Sequence, residues 1–432
     1  MTFIRQDFND AAKQIPIQNG IKANVLAARL TALSQIGRTS EGGVTRFVYT
    51  DEEKQAKKLL HKWGSRIGLT MREDAAGNLI GRLEGSDPNL AAVATGSHID
   101  TVANGGAFDG ALGALASLSA IEAIIEEGET YPRSLEWLVF ANEEGSRFPT
   151  GIFGSQVMMG EFTEKDVQRY KDTNGITLAS AMTEAGYPPS NIADAQRSKE
   201  DFYAFIELHI EQGKQLEDAN IPIGIVSGIA GPLWLRGTFT GESDHAGNTP
   251  MTMRKDASIA GAEWIIGIEK LPHSFTKTAV ATVGAQEVYP NTPNVITGKS
   301  VLTVDIRDIH VETRDQLVDA IINLGTDIAS SRGLTFTYDF LTAIDPVPVT
   351  EPMQTLLKES ASKLGLASMT LPSGAGHDAM IIGRHIENTG MIFVPSVGGT
   401  SHSPEEFTSI DDCVSGTAVL KEALVQLLQE DR

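Results

Sequence analysis

The chain has 432 residues, 41% hydrophobic and 21% charged, an ordinary globular composition that excludes a disordered or fibrous chain and is long enough for two or three domains. A formal charge of −21 excludes a nucleic-acid partner, because the average surface repels phosphate. The single cysteine, Cys413, excludes an internal disulfide and a thiolate-rich metal site, which leaves histidines and carboxylates as metal ligands.

In chain order, the first twenty residues carry Arg5, Asp7 and Asp10 and contain no apolar signal core. No later stretch reaches the ~18 uncharged apolar residues of a membrane span. The longest candidate, Gly110 to Ile125, is broken by Glu122, so the expectation is a cytoplasmic protein with no membrane partner. Short apolar runs at 90–99, 134–142, 202–209 and 390–396 end in polar or Gly-rich residues and read as buried strands. Helix-period stretches Ala111–Glu127, Met353–Leu364 and Val414–Leu428 lie between or after them. The fold class is therefore α/β with a wound, mostly parallel sheet, whose chemistry belongs at the carboxyl ends of its strands. Over 225–343 the texture changes: LWLRGTFTG and SVLTVDIRD alternate in the manner of strands, beside helical stretches Arg254–Lys270 and Arg314–Ser331. This predicts a smaller α+β domain inserted into a larger one formed by 1–224 and 344–432, with the turn-rich DPVPVTEP marking the return.

Three of the nine histidines, His98, His209 and His402, stand at or just beyond predicted strand ends. In GSHIDTVANGGAFDGALG, Asp100 is spaced to hydrogen-bond the His98 ring and fix its tautomer, and Asp109 lies in a Gly-rich turn that opens a helix. The plainer alternative is a turn with Asp109 as its helix cap. In VFANEEGSRF, Glu143 and Glu144 stand side by side, where adjacent carboxylates repel unless cations neutralise them or one holds a proton. A division of labour is expected, Glu144 as metal ligand and Glu143 as base toward water, against the alternative of a solvated acidic loop. His98, Asp109, Glu144, His209 and His402 together suit two borderline divalent ions bridged by Asp109 and a water, ~3.5–4 Å apart. Glu143 and Asp100 are the expected catalytic residues, and amide hydrolysis is the expected reaction class. No G-x-S-x-G elbow, H-E-x-x-H, P-loop or dinucleotide fingerprint is present to argue otherwise.

The segments GSHIDTV, NGGAFDG, NEEGSRF, ELHIEQG, GESDHAGNTPM, PNVITGK, DIRD, SGAGHDA and SHSPEEF, all in order, closely resemble the hydantoinase/carbamoylase amidases of the aminoacylase and carboxypeptidase superfamily. The resemblance implies a di-metal catalytic domain and an inserted lid domain that mediates homodimerisation. It gives ligand roles to the same five residues, the base role to Glu143, and substrate binding to Gln212, His245, Asn294, Arg307, Gly376 and His377. Arg307 has its own rationale as a bidentate partner for a substrate carboxylate, with pairing to Asp305 or Asp308 as the structural alternative. Because His245 and Asn294 fall in the lid, closure is expected to complete the site. The expected substrate is a small ureido or amide compound carrying a carboxylate, foremost an N-carbamoyl-L-amino acid cleaved to amino acid, carbon dioxide and ammonia. Allantoate and β-ureido acids are the alternatives within the class. An aminopeptidase or dipeptidase, and a non-catalytic binding protein, are those outside it. Histidine and carboxylate ligands suit zinc, manganese, cobalt and nickel alike.

Overall fold

Four runs that the sequence marks as continuously apolar form the centre of a large sheet in the computed structural model, which describes residues 6–430. In chain order the strands are β1 (Thr70–Glu73), β2 (Leu79–Leu83), β3 (Ala92–His98), β4 (Leu135–Phe140), β5 (Phe202–Ile210), β6 (Ile223–Ile229), β7 (Gly231–Thr240), β8 (Val280–Tyr289), β9 (Lys299–Asp308), β10 (Thr335–Ala343), β11 (Val347–Pro348), β12 (Ser368–Ser373) and β13 (Thr389–Val394). The chain divides into two compact units. One holds the residues up to Ser227, Val349–Leu371 and those from His377 on; the other holds Gly228–Pro348 and Pro372–Gly376.

In the first unit the strand order is β1-β2-β4-β3-β5-β13-β6. The central pairs β4/β3, β3/β5 and β5/β13 are parallel, and every residue of β3, β4 and β13 is buried, as expected of strands covered on both faces. The flanks are antiparallel, so the sheet is mixed rather than mostly parallel. The cause is local at one edge: Asp74 Oδ1 accepts the N–H groups of Ala76 and Asn78, each at 2.9 Å, which closes a tight turn between β1 and β2. A connection that short can join only antiparallel strands.

Helix Ala111–Glu127, rich in alanine, serine and leucine, packs on β3 and β5 and stops at Gly128, whose φ of 72° is the left-handed helix stop. Trp137 on β4 donates its indole N–H to Ala114 O at 2.9 Å. Helix Ile410–Gln429, begun by Ser409 accepting the Asp412 N–H at 3.1 Å, packs on the same helix and buries the free Cys413. None of the described helices is long and apolar enough to cross a membrane.

The second unit is a four-stranded antiparallel sheet, β10-β7-β9-β8, with helices Ala257–Lys270 and Val311–Arg332 against it. Strand β7 alternates buried Leu233, Leu235 and Phe239 with exposed Trp234 and Arg236, so one face makes the core with Trp264, Leu302, Val304, Leu317 and Ile321. Strands β8 and β10 were not apparent in the sequence. Both are largely exposed and therefore lack a clean apolar alternation.

Candidate metal centre

His98 closes β3 and His209 lies near the end of the neighbouring β5, with their rings 5.8 Å apart. Each ring donates its Nδ1–H to a backbone carbonyl at 3.0 Å, that of Asp100 for His98 and that of Ile210 for His209. These bonds orient both rings, and His209 Nε2 also faces the Gly110 N–H at 3.2 Å. Asp109 meets them: its Oδ1 lies 3.6 Å from His98 Nε2 and 3.2 Å from His209 Nε2, while its Oδ2 lies 3.3 Å from His402 Nε2. Glu144 Oε2 is 3.6 Å from the same His402 nitrogen. The ligand atoms of His98, Asp109 and His209 lie within 4.8 Å of one another, as do those of Asp109, Glu144 and His402. Gly110 has φ 59°, and a Cβ there would stand 2.4 Å from the His98 ring, so only glycine lets the Asp109 turn close on the histidine.

The Asp100 carboxylate takes a different task from the one its spacing suggests. At 3.7 Å from the His98 ring it is beyond a hydrogen bond, and its two oxygens instead accept the backbone N–H groups of Glu143 and Glu144, each at 3.1 Å. Two consecutive N–H groups past β4 offer a better-matched donor pair than one ring nitrogen, so the Asp100 carbonyl holds the ring and its carboxylate holds the glutamates.

Electrostatically the cluster calls for positive charge. Burial, then the nearby Glu144, pushes Glu143 well above the usual carboxylate range; burial, then Asp109, pushes Glu144 up to about 9. Burial would depress His209, yet its hydrogen bond and attraction to Asp109 raise it to about 9, so the aspartate draws a cation or a proton toward itself. His98, dominated by burial, falls to about 4 and stays neutral, the form in which imidazole ligates a metal. Glu144 Oε1 is buried with no hydrogen-bond partner. An orphaned carboxylate oxygen beside further carboxylates and imidazoles is a donor set that fits borderline divalent ions. Glu143 Oε2 stands 3.7 Å from His98 Nε2, alongside this set.

Of the six expected substrate-binding residues, Gln212 and His377 fall in the first unit. Gln212, at φ 55°, donates Nε2–H to Asp109 Oδ2 at 2.9 Å, and the buried His377 ring lies 4.5 Å from that of His209. His245, Asn294, Arg307 and Gly376 belong to the second unit. There His245 bridges to Val295, and the Ala246 N–H donates to Asn294 O at 3.0 Å, which brings the His245 and Asn294 segments together. His245 Nδ1 accepts the N–H groups of Gly247 and Asn248, at 3.0 and 3.1 Å. Arg307 forms a two-pronged pair with Asp305, at 3.0 and 2.8 Å, and donates to Gly374 O.

Several residues around the centre carry no mark in the sequence. Glu207 is wholly buried on β5 and accepts from Ser97 Oγ at 2.7 Å and from the Ala379 N–H at 2.9 Å. Ser401 and Glu406 flank Asp109 from the loop that carries His402. The one available signal was their place inside SHSPEEF, beside a candidate ligand.

Residues 94–426 match the model of peptidase family M20/M25/M40. The chain belongs to this family. It is 41% identical over 409 residues to an N-carbamoyl-L-amino acid amidohydrolase of Geobacillus stearothermophilus, covering 95% of this chain and 99% of that one. It is 39% identical to an allantoate amidohydrolase of Bacillus subtilis, covering 91% and 95% of the two chains. Its fold matches the crystal structure of a hydantoinase/carbamoylase family amidase from Burkholderia multivorans, with a TM-score of 0.89, 33% identity, and coverage of 96% and 99%.

Proposed function

We propose that this M20/M25/M40 member hydrolyses the ureido C–N bond of an N-carbamoyl-L-amino acid, giving the L-amino acid, carbon dioxide and ammonia with consumption of one water. The observation that carries the reaction class is the position of Asp109 in both ligand groups, with Glu143 beside them. The 41% identity to an N-carbamoyl-L-amino acid amidohydrolase favours the substrate. Allantoate is the second reading, favoured by the 39% identity to the Bacillus subtilis relative.

His98, Asp109 and His209 would hold one divalent ion and Asp109, Glu144 and His402 a second, with zinc, manganese, cobalt and nickel all compatible with these donors. Ions held there supply Lewis-acid polarisation of the substrate carbonyl and make water more acidic. Glu143 takes a proton from the attacking water at Oε2 and returns it to the leaving nitrogen as the C–N bond breaks. Asp100, by holding both N–H groups, fixes Glu143 for this transfer and Glu144 for ligation. Gln212 and His377 orient the ureido group. His245 and Asn294, which belong to the second unit, are further candidate donors to the ureido group.

Arg307 binds the substrate carboxylate. Its contacts to Asp305 and Gly374 use three of the five guanidinium N–H groups, leaving one on each terminal nitrogen for a bidentate grip. The second unit also mediates a homodimer, a reading supported by exposed Ile259, Ile266, Tyr338 and Phe340.

The test is ammonia release from N-carbamoyl-L-amino acids, allantoate and N-carbamoyl-β-alanine after chelation and manganese re-addition. Turnover of the first group restored by manganese is the expected result. Activity on none of the three, or activity indifferent to chelation, would overturn the proposal.

A further inference from the structure

We infer that Glu406 is a positioning residue that sets the attitude of Asp109 and so governs the affinity of the centre for divalent cations; this rests on the metal-centre reading above. The Glu406 side chain is buried, and its Oε1 accepts the backbone N–H groups of Phe108 at 2.8 Å and of Asp109 itself at 3.0 Å. Those groups lie just ahead of Gly110, the N-cap of helix Ala111–Glu127, where the positive end of the helix dipole favours a carboxylate. Its Oε2 lies 3.3 Å from Ser401 Oγ, which is also 3.0 Å from Asp109 Oδ2.

The segment from Ser401 to Glu406 therefore holds Asp109 at both ends, its carboxylate through Ser401 and His402 and its backbone through Glu406. A helix cap alone needs no more than a local serine or aspartate. Here the acceptor comes from the loop that also presents His402, so one element fixes two candidate ligands against each other. Gly106 makes this approach possible: a Cβ at that position would stand 2.0 Å from Glu406 Oε1. Ligand sets function only when held to within ~0.5 Å, and loss of a residue that orients a ligand typically weakens metal binding by roughly 10–100-fold.

The experiment is titration of the chelated, full-length chain with manganese by calorimetry, alongside the melting temperature of the metal-free protein. Glu406→Ala and Gly106→Ala should each weaken manganese binding by at least about tenfold. Glu406→Gln keeps an oxygen for both N–H groups and should bind much more tightly than either. A purely structural cap would lower the metal-free melting temperature and leave manganese affinity unchanged. Wild-type affinity in both alanine variants, or binding by Glu406→Gln as weak as by Gly106→Ala, overturns the inference. If Glu406→Ala does not fold, the other two variants decide by the same comparison. Absence of manganese binding by the wild type would instead bring down the metal-centre reading itself.

Discussion

Oδ1 of Asp109 lies 3.2 Å from Nε2 of His209. The second oxygen of that carboxylate faces His402, so a single side chain serves both ligand groups. Asp109→Asn keeps the shape but offers one acceptor where two are needed. Metal content after dialysis should fall, with affinity reduced by at least ~100-fold. An asparagine variant that retains its full manganese load would remove Asp109 from the centre.

Glu143 is not needed for either ligand group, yet it is buried beside them and its backbone is pinned by Asp100. Glu143→Gln should bind manganese as the wild type does and lose turnover by at least ~10²-fold, since it removes the proposed proton carrier while leaving the candidate ligands in place. Metal analysis and steady-state kinetics on one preparation test this, and near-normal kcat would exclude Glu143 from proton transfer.

The convergence of His98, Asp109, Glu144, His209 and His402 was readable because buried parallel strands announce themselves as unbroken apolar runs, and their carboxyl ends are where side chains of distant segments meet. What escaped was decided through space. Whether the Asp100 carboxylate or its carbonyl reaches His98 depends on the turn after β4, and Glu406 reaches the Phe108 and Asp109 N–H groups from the far end of the chain. The exposed strands β8 and β10 lacked the apolar pattern on which strand prediction depends. The return of Pro372–Gly376 to the second unit follows from tertiary packing and leaves no local composition signal.

Cation removal should destabilise the fold. Without a cation, burial, then Glu144 for Glu143 and Asp109 for Glu144, holds both glutamates above the usual carboxylate range, so their ionised forms are disfavoured in the folded state. A ligand that binds only the native chain adds about 2.7 kcal/mol at a free concentration a hundred times its Kd. Manganese should therefore raise the Tm of the chelated protein, and His209→Ala should abolish most of that rise. Equal melting temperatures with and without manganese would contradict it.

Arg307 is oriented by Asp305, which fixes its plane while leaving one N–H on each terminal nitrogen. Lysine preserves the charge and loses the fork. Arg307→Lys should raise KM for a carboxylate-bearing substrate by about tenfold or more, the value of one charge-assisted hydrogen bond, with manganese affinity unchanged. An unaltered KM would mean that the substrate carboxylate is bound elsewhere.

Trp264 is fully buried in the second unit, edge-on to Phe239 and Phe336, and donates its indole N–H to Ile321 O at 2.9 Å. Trp264→Ala removes that packing and the indole hydrogen bond, at a cost of roughly 3–5 kcal/mol to the unit. The five ligand candidates all lie in the first unit, so manganese affinity should stay at the wild-type value while the midpoint of denaturant unfolding moves to lower concentration. A variant that unfolds like the wild type would show that the core around Trp264 contributes little to the stability of its unit. Joint loss of stability and metal affinity would show that the ligand set depends on the integrity of the second unit.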